Sequence, residues 1–181
     1  MLMSSIARFR QATTTADFTQ IAALADLIWR EHYTPIIGNA QVAYMLAHFQ
    51  SREAVAEQVA EGVLYYLILK GDRPVGYLAI QKKDRELFLS KIYLLREYRG
   101  QGLGKAAMDF IVEKALELQC ERIGLTVNKN NHHSIQAYSK MGFENRGALV
   151  TDIGGGFVMD DYRMVKLLRN TPSGAAGSSP V

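Results

Sequence analysis

The chain has one cysteine, Cys120, in 181 residues, so no disulfide can close within it and a reducing, cytoplasmic setting is expected. No apolar run reaches the ~18 residues that a membrane span needs. The start, MLMSSIARFRQATTTADF, lacks the continuous apolar stretch of a secretory signal. Lys and Arg outnumber Asp and Glu by only 3. That balance suits an anionic small ligand, and no Lys/Arg block with interleaved aromatics marks a nucleic-acid surface. No internal repeat is visible. Hydrophobic residues make up 48% and charged residues 22%. This is an ordinary globular composition, and a chain of this length should bury roughly 70% of its unfolded surface.

What the sequence does have is order. Asp17 to about Tyr33 carries Ile21, Leu24, Ala25, Ile28 and Trp29 on one helical stripe, until Pro35 and Gly38 break it. Ala40 to Phe49 reads as a short helix, and a third runs from Ser51 to the stop at Gly62. The period then changes. VLYYLILK, PVGYLAIQ and LFLSKIYLL are strands joined by short turns, hence antiparallel. A glycine-rich stretch opens a helix to about Gln119 with Leu103, Ala107, Phe110, Ile111, Ala115 and Leu118 on one face. RIGLTVN is the next strand. Strand, helix, strand makes a right-handed unit, so these two strands should be parallel neighbours. HHSIQAYSKMG is a further helix. FENRGALVTDI and GFVMDDYRMVKLL flank Gly154-Gly155-Gly156 as a hairpin. The expected fold is a mixed α/β sheet with helices on both faces, one domain over 1–170. A disordered, uncharged tail is expected over 171–181.

The chemistry concentrates in REYRGQGLGKAAMDF. Glycines 100, 102 and 104 precede a helix, where bare N–H groups and the helix dipole favour an anion. A P-loop is excluded: Gly100 and Gly104 are too close, and Lys105 is followed by Ala106 rather than a hydroxyl. A dinucleotide fingerprint forced onto Gly102, Gly104 and Ala107 fails on context. Charged residues separate the strand from the glycines, and the next strand ends in Asn128 rather than an acid.

Arg99-Gly100-Gln101-Gly102-Leu103-Gly104 does fit the R/Q-x-x-G-x-G/A signature of the GNAT superfamily of acyl-CoA N-acyltransferases, and the chain resembles that family. The likeness continues upstream in KIYLLREYRG and downstream in LTVNKNNHHSIQAYSKMGF, covering about Leu87 to Phe143. Arg96 stands where the family often has proline.

The resemblance implies the GNAT fold, with a mostly antiparallel central sheet, and an N-acetyltransferase using acetyl-CoA without a metal. It implies that N–H groups from Gln101 to Lys105 hold the coenzyme pyrophosphate, with Gly100 and Gly102 admitting it and Arg99 adding charge. Backbone groups of Ile92, Tyr93 and Leu94 would pair with the pantetheine arm. The Leu94 N–H would hold the thioester oxyanion, worth roughly 3–4 kcal/mol in comparable sites. Asn128 would bond the pantetheine amides. Asn131 would do so too, or simply cap the helix, and Ser134 and Lys140 are lesser contacts. Tyr138 matches the tyrosine that protonates the departing thiolate.

The general base stays open among Glu31, His32, Glu86, Asp160, Asp161 and water. His132-His133 has no partner at metal-ligand spacing, and Cys120 reads as a structural thiol.

The acceptor expected is a small amine. The closing segment GGGFVMDDYRMVKLL and the helix-rich front half resemble bacterial polyamine N-acetyltransferases, and Asp160 and Asp161 would attract a polycation if they faced the cleft. Protein N-terminal or lysine amines are the alternative. So is a sensor module that binds acyl-CoA without turnover. A toxin acting on charged tRNA would need a basic face that a charge of +3 does not supply. Dimers are common in the family it resembles, so a homodimer is open, with no surface singled out.

Overall fold

The computed structural model describes residues 7–168. The tail expected over 171–181 lies outside them.

Strand β1 (Arg8–Gln11) was not expected from the sequence. Four residues with one strong hydrophobe give no readable alternation; antiparallel pairing with β2 (Leu64–Lys70) makes it a strand. Helix α1 (Thr15–His32) starts on a capping box. The Asp17 N–H donates to the Thr14 hydroxyl at 3.2 Å, and the Thr14 N–H donates back to the Asp17 carboxylate at 3.1 Å. Burial pushes the Asp17 carboxyl up. The N–H groups of Thr13 and Thr14, the Thr14 hydroxyl and the Arg10 guanidinium outweigh that and hold it down at about 2. The expected break after Tyr33 is only partial. Pro35 sits in the first turn of a short helix α2 (Thr34–Ile37), where its fixed φ is suited. Gly38, at φ +84°, then turns the chain into α3 (Asn39–Phe49), and Ser51 caps α4 (Arg52–Ala60).

β2, β3 (Arg73–Lys83) and β4 (Glu86–Leu94) form the antiparallel meander. After α5 (Leu103–Glu117), β5 (Arg122–Asn128) returns parallel to β4. Then come α6 (His132–Lys140), β6 (Glu144–Gly154) and β7 (Phe157–Leu167), the last two closing on the glycine turn. The sheet order is β1-β2-β3-β4-β5-β7-β6. Helices α5 and α6 cover one face through Leu103, Ala107, Ile111 and Tyr138. Helices α1 to α4 cover the other through Ile21, Ile28, Trp29 and Val42.

Two features of β4 position the site. Its pairing with β5 lasts only from Glu86↔Arg122 to Phe88↔Gly124, and beyond that the strands part. Against β3, Ile80 pairs with Leu89 and Ala79 with Lys91, so Ser90 is a bulge. At the joined end, Glu86 acts as a clip. It is buried, and it accepts from Arg122 at 3.0 Å and Arg163 at 2.5 Å, linking β4, β5 and β7. Gly124 makes room for it: a Cβ there would lie 2.3 Å from the Glu86 carboxylate. Burial pushes the Glu86 carboxyl up, and the two guanidiniums bring it below the ordinary glutamate range.

Glu86→Gln should therefore lower stability by about 2 kcal/mol at pH 7 by urea unfolding. That is below the usual 3–5 for a broken buried pair, because both arginines are over a third exposed. The depressed carboxyl stabilises fully above its unfolded pKa of about 4.3 and loses this contribution as pH falls further. The difference between wild type and variant should shrink below that pH.

Candidate active site

Where β4 and β5 part, a cleft of about 250 Å³ opens. The unpaired stretch of β4 forms one wall, Leu125 to Val127 of β5 form another, and α6 presents Ser134 and Tyr138. Side chains of β4 divide across the sheet. Ile92 and Leu94 pack toward α5 and α6, while Tyr93 packs toward α1. The cleft thus meets both faces at once.

The glycine stretch closes one end. Gly100 and Gly102 have φ of +73° and +84°, where a side chain is strained. Gly102 is the N-cap of α5 and offers no side-chain cap, so the first N–H groups of the helix stay free for a ligand. Gly104 is different. Its φ is ordinary, and a Cβ there would meet nothing within 4 Å. The fold does not require glycine at this position, but a ligand lying against the backbone would. The residues therefore fit a pyrophosphate.

Tyr138 borders the cleft from α6, packed edge-on against Phe143 at 5.6 Å. Burial, with Tyr33 nearby, pushes its hydroxyl above the ordinary tyrosine value, so it stays protonated. Ile92, Tyr93, Leu94, Arg99, Gly100, Gly104, Asn131 and Ser134 border the same cleft. Within it, Arg99 Nε is already bonded to the Leu94 carbonyl at 3.1 Å. Other expected contacts lie off it. Gln101 accepts from Lys70 and donates to the Glu97 carbonyl. Leu103 is buried in the core behind the loop. Lys105 pairs with Asp109, and with Lys140 it lines a separate groove between α5 and α6. The Asn128 carbonyl oxygen accepts from the Asn130 N–H in a local turn. Asn131 precedes α6 but does not cap it; buried, it lies 3.3 Å from His32 Nε2.

The candidates for the base separate clearly. By sequence, Asp84-Arg85-Glu86 reads as a solvated turn, but Glu86 does not sit in one. It starts β4 and is held by two arginines away from the cleft. Glu31 pairs with Arg96 at 3.1 Å, outside the cleft. Asp160 is exposed and bound to Lys129 at 2.8 Å. Asp161 is buried beside Thr126, and burial with neighbouring Asp160 pushes it up to about 6. Of the five, His32 alone borders the cleft, and burial lowers it. His133 also borders the cleft, and His132 is exposed. Cys120 is buried, its thiol pushed up by burial.

The sequence reading missed Tyr33 and Lys91. Tyr33 stacks on Trp29 at 4.4 Å and meets Tyr93 edge-on at 6.1 Å. Its signal was its place just after α1. Lys91 signalled itself as a charge inside an apolar strand.

A cleft between splayed strands, with an uncapped glycine-opened helix at one end and a protonated tyrosine in its wall, belongs to an acyl-coenzyme transferase. The Acetyltransferase (GNAT) family model matches residues 21–143, and the chain belongs to that family. It is an N-acetyltransferase with acetyl-CoA as cosubstrate. It is 30% identical over 154 residues to an uncharacterized N-acetyltransferase of Mycobacterium tuberculosis, covering 84% of this chain and 98% of that one. The spermine/spermidine N(1)-acetyltransferase of Bacillus subtilis is 35% identical over 78 residues, 42% of this chain and 50% of that one. The fold matches a PaiA N-acetyltransferase of Thermoplasma acidophilum, solved with coenzyme A. The TM-score is 0.75 at 18% identity, over 90% of this chain and 99% of that one.

Gly104→Ala separates ligand from fold. Its stability should equal or exceed wild type by up to about 1 kcal/mol, since alanine suits a helix better. Coenzyme A affinity by calorimetry should fall at least tenfold.

Proposed function

We propose that the protein acetylates the primary amine of a small molecule by direct transfer in a ternary complex. The observation that carries this reading is that the cleft meets both faces of the sheet. A coenzyme arm along β4 on the α5/α6 side would present its thioester to an amine arriving from the α1–α4 side. The Ile92 to Leu94 backbone, left unpaired by β5, would pair with the arm, and the Leu94 N–H would hold the developing oxyanion. The amine adds to the acetyl carbon, the carbon–sulfur bond breaks, and Tyr138 gives its proton to sulfur.

The acceptor follows from charge. The Bacillus subtilis relative makes polyamines the first compounds to test. No carboxylate borders the cleft among the described residues, whereas the Arg99 guanidinium does. Asp160 is turned outward to Lys129, and Asp161 is buried. A polycation would have no counter-charge here. A monoamine, or an amine carrying its own carboxylate, is the better fit.

A thiol-release assay over monoamines, amino acids, polyamines and short peptides tests this. Turnover should be greatest with a monoamine or amino acid and at least tenfold weaker with spermidine. A preference for spermidine overturns the acceptor reading. Tyr138→Phe should lower kcat at least tenfold and leave acetyl-CoA affinity within threefold. Since the Tyr138 hydroxyl is raised, its loss of a proton should not reduce activity below pH 10.

A further inference from the structure

Building on that transfer reaction, we propose that Lys91 is the base that takes the proton from the acceptor ammonium. Lys91 lies on β4, three residues before Leu94, and borders the cleft while only 9% exposed. It touches two polar groups. One is Gln58 of α4, whose Oε1 is 2.6 Å from the amine; the other is the hydroxyl of Tyr65 on β2.

The hydrogen-bond role of Gln58 is fixed from outside. Gln58 Nε2 donates to the Phe49 carbonyl at 3.0 Å, so Oε1 turns inward as an acceptor. The Tyr65 hydroxyl donates to that same oxygen at 2.7 Å. With its one hydrogen on that oxygen, it accepts from Lys91. Both contacts of Lys91 are therefore donations. A neutral amine has two hydrogens, both placed here, and its lone pair faces no protein donor among the described residues. An ammonium would carry a third hydrogen with no oxygen or nitrogen acceptor among the described residues, only the Tyr65 ring 4.9 Å away.

The surroundings agree. Gln58 faces it from α4, Tyr65 from β2, and Ala79 stands opposite on β3; none is a carboxylate. Burial depresses the amine from its ordinary value to about 7. Elsewhere along the cleft the ionisable neighbours are His32, Arg99, His133 and three tyrosines.

The step balances. An acceptor N–H bond breaks, and that proton bonds to the Lys91 lone pair and later leaves to solvent. The freed amine attacks the acetyl carbon. The thiolate takes the Tyr138 proton, and the phenolate recovers the second amine proton. The products are the amide, the free thiol and one proton.

The test is kcat/KM against pH, from 5.5 to 9.5, with the best monoamine or amino acid. Wild type, Lys91→Met, Lys91→Arg and His32→Gln are compared. Wild type should rise tenfold per pH unit and level off near 7. Lys91→Met and Lys91→Arg should lose at least thirtyfold at pH 7.5 and lack that limb, with coenzyme A affinity within threefold. His32→Gln should keep it. The proposal fails if the limb survives in either Lys91 variant or vanishes with His32→Gln. It fails equally if wild type climbs toward the acceptor's own pKa near 10, since the neutral amine would then be drawn from solution. A second measurement is independent of turnover. In wild type bound to coenzyme A with carbon-13-labelled lysine, one signal should titrate near 7 and be absent from Lys91→Met. If Lys91 titrates above 9, the proposal is overturned. If wild type turns over no amine while one lysine titrates near 7, the transfer reading fails and the poised amine stands.

Discussion

Two strands that begin paired and then separate are the constraint on which the rest depends. The Glu86 clip holds β4, β5 and β7 together at one end, and the Ser90 bulge bends β4 just beyond it. Past that point the strand's backbone groups toward β5 have no ladder partner. Such groups must find water or a ligand. The glycine turn lies at the exit of β4, Tyr138 lies across the gap, and Lys91 and Tyr93 look to the far side. Removing the Ser90 bulge would shift the register by one residue and send each of those β4 side chains to the wrong face.

Beneath the acceptor side lies an unusual core. Tyr77 donates to Gln50 at 2.9 Å, and Tyr65 and Lys91 converge on Gln58. All are buried or nearly so. Trp29 Nε1 is buried without a hydrogen-bond partner among the described residues. Polar groups in a low-dielectric interior are costly unless paired, and when paired they fix one another's orientation. This network holds a titratable amine in one position, which an all-apolar core of equal volume would not do.

Much of this was legible in the chain, for physical reasons. The meander, α5 and its glycine entrance, and the closing hairpin follow from period, turn residues and the three glycines. Residues Ile92 to Leu94 and Tyr138 were assigned roles by resemblance and do border the cleft. β1 was not legible because its order comes from its neighbour. Glu86 was misread because a charge next to Asp84 and Arg85 looks solvated, while its two arginines lie 36 and 77 residues away. Asn128 and Asn131 looked alike in sequence; a turn took one and His32 the other. Lys91 showed as a lone charge in an apolar strand, but such a charge says nothing about its partners, which come from α4 and β2.

The bond from Gln58 to the Phe49 carbonyl has a wider meaning. It joins the end of α3 to α4, well away from the glycine turn, yet it decides which atom of Gln58 an active-site amine sees. The catalytic temperament of the molecule is thus set partly from its helical front, while the coenzyme half keeps its own machinery intact. Such a division lets the front be recut for a new amine or a new working pH without relearning how to hold the donor.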